Sequence, residues 1–241
     1  MKEYAKHLIF TAAILVSILP SLVAQSGTYH TVRDLEVWTA AKIEYKLNKK
    51  LDFGFEEQIR LKDDASNIDQ YFSEITAGYK LNKKISLGLG LRYIKENDNE
   101  GKIQGYENHL RWNGDLSYKH KVERFGLKYR LRYQSKNELN VSEAQGDTLK
   151  KTIRLKVGST YNIKDWKLDP KVSAEIFNVL NNNEGFSKVR FTIGTEYKTK
   201  NWGDVGAFYR MEKELKENYP KTTNIIGIQY QYTIKRKPNE K

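Results

Sequence analysis

No cysteine occurs among the 241 residues. That removes disulfide frameworks, thiolate zinc sites and cysteine nucleophiles together, and it suits an oxidising compartment. Histidine is nearly as scarce: past residue 25 only His30, His109 and His120 remain. There is no Gly-x-Ser-x-Gly elbow, and no His or carboxylate pair stands at ligand spacing. Long apolar runs are missing too, since no segment beyond the N-terminus approaches the about 20 apolar residues of a membrane helix. Mean hydropathy is −0.73 and charged residues reach 30%, yet aromatics at 12% argue against disorder. Low apolar content beside sixteen tyrosines fits strands that are apolar on one face only.

What is present begins with a leader pattern. Lys2 and Lys6 form a positive start, Leu8 to Leu19 an apolar stretch, Pro20 a break, and Val23-Ala24-Gln25-Ser26 a run of small residues suited to cleavage. The apolar stretch is too short for an anchor. The expectation is a Sec-type signal peptide over 1–25 and a single domain over 26–241.

From Asp34 onward apolar and polar residues alternate with period two, the signature of strands. Leu35, Val37, Ala41, Ile43, Tyr45 and Leu47 share one phase; Glu36, Trp38, Ala40, Lys42, Glu44 and Lys46 share the other. Leu127, Tyr129, Leu131 and Tyr133 likewise oppose Lys128, Arg130 and Arg132. Such runs fall near 34–47, 51–62, 70–82, 85–96, 105–119, 125–137, 149–163, 167–178, 186–198, 203–213 and 222–235, with no helical stretch between them. The class is all-β.

The connections alternate in kind. Short ones follow Tyr45-Lys46-Leu47-Asn48-Lys49-Lys50 and its repeat Tyr79-Lys80-Leu81-Asn82-Lys83-Lys84. Longer ones, at 63–69, 97–105, 138–148, 179–185 and 214–221, are rich in Asp, Glu, Asn and Gly. Tight turns at one end and longer loops at the other describe an up-and-down transmembrane barrel of the outer-membrane type.

A soluble sandwich also alternates, and three further features favour the membrane. Tyr45, Tyr79, Tyr118, Tyr161, Tyr197 and Tyr232 stand at the turn-side end of every second strand, all in the apolar phase. A second aromatic set (Tyr71, Tyr93, Tyr106, Tyr133, Phe186 and Tyr209) stands toward the long loops. Pairs such as Tyr71 with Tyr79 and Phe186 with Tyr197 are separated along the barrel axis by about 20–28 Å, the height of an apolar band between two girdles. The opposite phase is charged at mid-strand. The last run carries Gly227-Ile228-Gln229-Tyr230-Gln231-Tyr232, a Gly-x-x-aromatic-x-aromatic ending like those of substrates of the barrel-assembly machinery, although Ile225 and the tail Lys235-Arg236-Lys237 depart from it.

The segments Tyr45 to Leu51, Glu56-Glu57-Gln58-Ile59-Arg60 and Tyr79 to Tyr93 resemble the domain of unknown function 2490 family. The resemblance runs over the whole chain past the leader. It implies an outer-membrane barrel of Bacteroidetes-type bacteria and carries over no activity or catalytic residue.

Single-chain bacterial barrels usually have an even number of strands. The expectation is therefore about 12 strands (10–12), with Thr28 to Arg33 supplying a short first one; a plug threading the lumen is the other use of that segment. Glu57 falls in the apolar phase between Phe55 and Ile59, where a bulge turning it inward is expected.

Charge in the polar phase is uneven. Lys128, Arg130, Arg132, Lys136, Arg154 and Lys156 form a basic wall; Glu36, Glu44, Asp52, Glu56 and Glu74 form an acidic one. The two walls are expected to face each other across the lumen. They make either a salt-bridged core or a narrow pore for small, preferentially anionic solutes. Without residues 1–25 the net charge is about +11, but cations buried in a lumen do not make a nucleic-acid surface. Acidic connections (Asp63, Asp64, Asp69, Glu96, Asp98 and Glu100) suit cation bridging to lipopolysaccharide.

The expected partners are thus outer-membrane lipid, lipopolysaccharide and the assembly machinery of a Gram-negative bacterium, with no cofactor and no metal. Two alternatives stand beside this reading. One is a soluble periplasmic lipocalin-like barrel binding an apolar ligand, which requires the apolar phase to face inward. The other is an outer-membrane lipase-like enzyme, for which only His109 and Ser117 on one run offer a base and a nucleophile; no enzyme is expected.

Overall fold

The computed structural model describes residues 32–99, 104–141, 149–181, 185–199, 201–216 and 219–236. The leader expected over 1–25 lies outside them, as do 28–31 of the expected first strand. Among the described residues eleven strands follow one another: β1 (Arg33–Lys46), β2 (Leu51–Lys62), β3 (Asn67–Lys80), β4 (Ile85–Asp98), β5 (Gly105–Val122), β6 (Phe125–Glu138), β7 (Lys150–Tyr161), β8 (Leu168–Val179), β9 (Gly185–Lys198), β10 (Asp204–Glu214) and β11 (Thr222–Lys235). Each pairs with its neighbour in sequence, and β1 pairs with β11, so the sheet is a closed barrel.

The expectation of about twelve strands is corrected here. Arg33 already belongs to β1, and closure takes place between β1 and β11 in parallel, from Arg33↔Thr222 to Lys46↔Lys235; every other pair is antiparallel. A parallel ladder satisfies its backbone groups as an antiparallel one does, so an odd count leaves no open edge. The seam is pinned at both rims. Lys221 Nζ lies 2.9 Å from Asp34 Oδ2 at one end, and Gln231 Nε2 donates to Glu44 Oε2 at 2.9 Å at the other. Lys221 stands just before β11. Burial works against its charge, but the hydrogen bond and the charge of Asp34 outweigh it and raise its pKa above the usual 10.5.

The short turns explain the repeated hexapeptide. Asn48 Oδ1 accepts from the amides of Lys50 and Leu51, each at 2.8 Å, and Asn82 Oδ1 accepts from Lys84 and Ile85 at the same distances. An Asn side chain that caps the amides beyond it is the turn-former of both copies. Of the connections expected to be long, 63–69 proves tight. Asp63, Asp64 and Ala65 take φ of 55°, 56° and 61°, and β3 begins at Asn67. Asp64 N donates to Asp34 Oδ1 at 3.1 Å, which replaces loop length with a local cap.

The two phases of the alternation separate onto two surfaces. Outside lie apolar side chains, among them Leu87, Leu89 and Leu91 of β4 and Ile226 and Ile228 of β11, each 44–66% exposed. Of the turn-side tyrosines, Tyr45, Tyr79, Tyr118, Tyr197 and Tyr232 are exposed there, while Tyr161 is half-buried with its ring 4.8 Å from that of Phe125. Of the loop-side set, Tyr71, Tyr93, Tyr106, Phe186 and Tyr209 are exposed, and Tyr133 packs against Trp112 at 5.2 Å. Inside lie Asp34, Glu74, Arg92, His109, Asn113, Arg154, Glu175 and Glu212, all buried.

Glu57 does not turn inward. Its register with Ser73 on β3 is unbroken, the irregularity of this pair falling later, between Arg60 and Leu61. Glu57 stays on the outer face, where Ser73 Oγ donates to its Oε1 at 2.6 Å. A neighbouring hydroxyl, not a bulge, accommodates the carboxylate.

Candidate functional site

The interior is the place where chemistry-bearing residues converge. Inward residues are fixed by strand phase, and β1 brings Trp38 to the centre of the lumen, 4% exposed. Its indole N–H donates to Glu36 at 2.7 Å. Three guanidiniums surround the ring: Arg60 from β2 at 3.6 Å, Arg210 from β10 at 4.7 Å and Arg190 from β9 at 5.8 Å. Arg92 lies 3.3 Å from the ring of Phe72, and Arg154 and Arg190 lie 4.4 and 4.8 Å from that of Phe177. Cation–π contacts of this kind gain strength once desolvated. The aromatic rings thus hold apart guanidiniums that would otherwise repel.

Carboxylates complete the layer. Glu175 of β8, its side chain 1% exposed, meets Arg130 at 2.8 Å, Arg154 at 2.9 Å and Arg190 at 3.4 Å. Glu212 of β10 takes Arg190 at 2.5 Å and Lys188 at 3.1 Å. Glu74 of β3 pairs with Arg92, and Arg111 stands 3.6 Å away. Arg132 grips Asp115 with two bonds of 2.6 and 2.7 Å, the bidentate fork that favours Arg over Lys. Ile225 and Phe72, 0% and 1% exposed, fill the space beside these pairs. Together they pack the middle and the loop-side half of the barrel.

The expected walls are therefore joined differently from a pair of facing surfaces. In the basic set Arg130 and Arg154 go to Glu175, and Arg132 goes to Asp115; neither acid belongs to the acidic set. Lys136 pairs with Glu96. Lys128 and Lys156 meet no carboxylate among the described residues. In the acidic set Glu44 pairs with Lys46 at 3.2 Å, Asp52 with Lys80 at 3.6 Å, Glu36 with the indole of Trp38 and Glu74 with Arg92. Glu56 stands opposite Lys42 on one side and Glu74 on the other.

The residues that organise the lumen, Glu175, Glu212, Asp115, Arg190 and Arg210, escaped the reading of the sequence. Their inward phase was visible in each run, but nothing local distinguishes them from other inward charges. Glu96, expected on an acidic loop, is in β4 and turns toward Lys136 and His109.

His109 is buried, with Nε2 3.1 Å from Glu107, and Ser117 lies eight residues farther along β5, about 26 Å away. These two are too far apart to act as a dyad. His120, one residue beyond the run expected at 105–119, lies within β5, its ring stacked on that of Tyr129 at 5.8 Å. Among the described residues no group of three or more His, Asp or Glu is placed to hold a metal ion.

Toward the short turns the lumen opens into a cavity of about 350 Å³, lined by Lys128, Lys156, Lys171, Thr192, Arg210 and Gln229 among others. No curated protein and no solved structure matches the chain. A family model described as "Protein of unknown function (DUF2490)" matches residues 35–222, from the start of β1 to the start of β11. The match spans β1 to β10 and reaches the first residue of β11, and the chain belongs to the DUF2490 family.

Proposed function

We propose that the protein is a barrel of the Gram-negative outer membrane, exported by a cleaved leader, whose lumen is sealed on the loop side. It serves as a structural barrel that presents its loops and turn-side hollow, with no catalytic role. The observation that carries this reading is the layer around Trp38, Glu175 and Ile225, where Glu175 is shared by Arg130, Arg154 and Arg190 and the apolar side chains are almost wholly buried. An open pore needs a hydrated path past such a layer. Exposed apolar side chains between two tyrosine-rich rims support the membrane setting, because a water-facing surface gains nothing from them. They also count against the lipocalin-like reading, which needs an apolar interior. Lipid and lipopolysaccharide are the partners proposed for the outer face, and the assembly machinery for the ending at Gly227 to Tyr232.

The test is single-channel recording of the refolded protein in planar bilayers, with heat-modifiable gel mobility as the criterion of folding. Folded, silent protein is expected. Steady conductance, with an anion preference that falls on charge reversal at Arg130 and Arg132, would restore the porin reading. A protein that stays in solution without detergent would refute the membrane.

A further inference from the structure

The turn-side hollow has a charge that the barrel itself does not neutralise. Lys128 on β6, Lys156 on β7 and Arg210 on β10 all line it, and among the described residues none of them has a carboxylate partner. Four acids of the lumen are engaged elsewhere: Glu175 by three guanidiniums, Glu212 by Arg190 and Lys188, Asp115 by Arg132 and Glu196 by Lys171. Cations gathered in one hollow without counter-charge repel one another, and a mobile anion is the remedy the site leaves open.

The lining is also built to donate. Arg210 Nε donates to Thr192 Oγ1 at 3.1 Å, which aims the guanidinium and leaves the threonine hydroxyl its own proton to give. The ring of Phe208 lies 4.5 Å from the Arg210 guanidinium. A smaller hollow of about 110 Å³ shares Lys128 and Lys156 and adds Arg130, whose Nε is buried without a partner. Gly158 sits opposite Lys128 on one side and Ser173 on the other, so the absence of a side chain there makes the room.

We propose that this hollow binds a small solute through a phosphate group, held by Lys128, Lys156 and Arg210. A dianion with several acceptor oxygens can take charge-assisted bonds from three strands at once, which a halide cannot. The larger hollow leaves space for an organic part beyond the phosphate. Because the loop-side half of the lumen is packed, the solute enters and leaves by the short-turn rim. The site depends on the interior of the barrel alone, so it stands whether or not the membrane reading does.

The experiment is calorimetric titration of the full chain, folded in detergent, with inorganic phosphate and with glycerol 3-phosphate, against chloride at equal ionic strength. Saturable one-site binding of at least one of them is expected. The tighter arm tells whether the free ion or an ester is the natural form. Lys156→Met and Arg210→Met should each weaken binding about 10-fold or more, the loss of one charge-assisted hydrogen bond, while Lys50→Met in the β1–β2 turn should not. Should a variant fail to fold, the wild-type thermal midpoint decides: it must rise with phosphate or its ester and not with chloride. Absence of saturable binding, or equal loss from Lys50→Met, would overturn the proposal.

Discussion

Replacing Glu175 by Gln keeps the shape of the side chain and removes one negative charge from among three guanidiniums. Arg190 retains Glu212 at 2.5 Å, and Arg154 retains only the neutral Gln134 at 2.9 Å. Arg130 has no other carboxylate among the described residues. Two cations, 8% and 19% exposed, are thus left without counter-charge. Breaking a buried pair in this way costs about 3–5 kcal/mol. Arg154→Met alone should cost less, because Glu175 keeps Arg130 and Arg190; the loss is that of its hydrogen bonds, about 1.5–3 kcal/mol. The double variant should then be more stable than Glu175→Gln alone, since removing Arg154 also removes an unpaired charge. Urea unfolding of the detergent-folded barrel measures all three, and Trp38 places a fluorophore inside the layer. A loss below about 1 kcal/mol for Glu175→Gln, or a double variant no more stable than that single one, would refute the hub.

Other perturbations address other parts of the barrel. Glu57→Leu should raise stability in lipid by about 1–2 kcal/mol, because an outward carboxylate is replaced by an apolar side chain; urea titration in vesicles reads it, and destabilisation would argue against a lipid-facing position. Asn48→Ala and Asn82→Ala each remove an acceptor of two backbone amides and should cost about 1 kcal/mol, seen as a lowered urea midpoint; no change would mean that the flanking ladders alone define the turns. Lys221 has its pKa raised in the folded state, so its contribution is fully present below the unfolded value near 10.5 and is lost as pH rises through the folded one. The stability gap between wild type and Lys221→Met should be constant between about pH 6 and 10, where the Asp34 carboxylate is ionised, and shrink above that range; a gap that does not depend on pH would refute the pairing with Asp34.

The strands were legible because each residue from Asp34 on had to suit one of two environments, so the phase of Leu127 against Lys128 already decides which side of the wall each occupies. The Tyr-Lys-Leu-Asn-Lys-Lys repeat likewise declared its turns, since the Asn cap is a local interaction. Glu57 was misjudged because its accommodation depends on Ser73 of the next strand, which period-two counting on one strand does not see. The hub at Glu175 was hidden for a related reason. Which cation reaches which carboxylate depends on the stagger between strands, and Arg130 crosses β7 to find its partner. The strand count illustrates a different failure. Eleven runs were visible, and the preference for even numbers displaced the observation although no physical law forbids a parallel seam.

That seam also has a topological consequence. Arg33 begins β1 and Lys235 ends β11 at opposite rims, with 14 residues of β11 between them, about 46 Å of strand or about 35 Å of height at a tilt near 40°. In a barrel whose ends share a rim, a few residues suffice to join them and reopen the chain elsewhere. Here a circular permutant needs a linker as long as the wall is high. The packed interior leaves it no route through the lumen, and a bilayer outside tolerates only backbone whose hydrogen bonds are met. Such a linker would succeed by lying between β1 and β11, antiparallel to both. Joining β11 back to β1 is therefore the same engineering problem as adding one strand to the barrel.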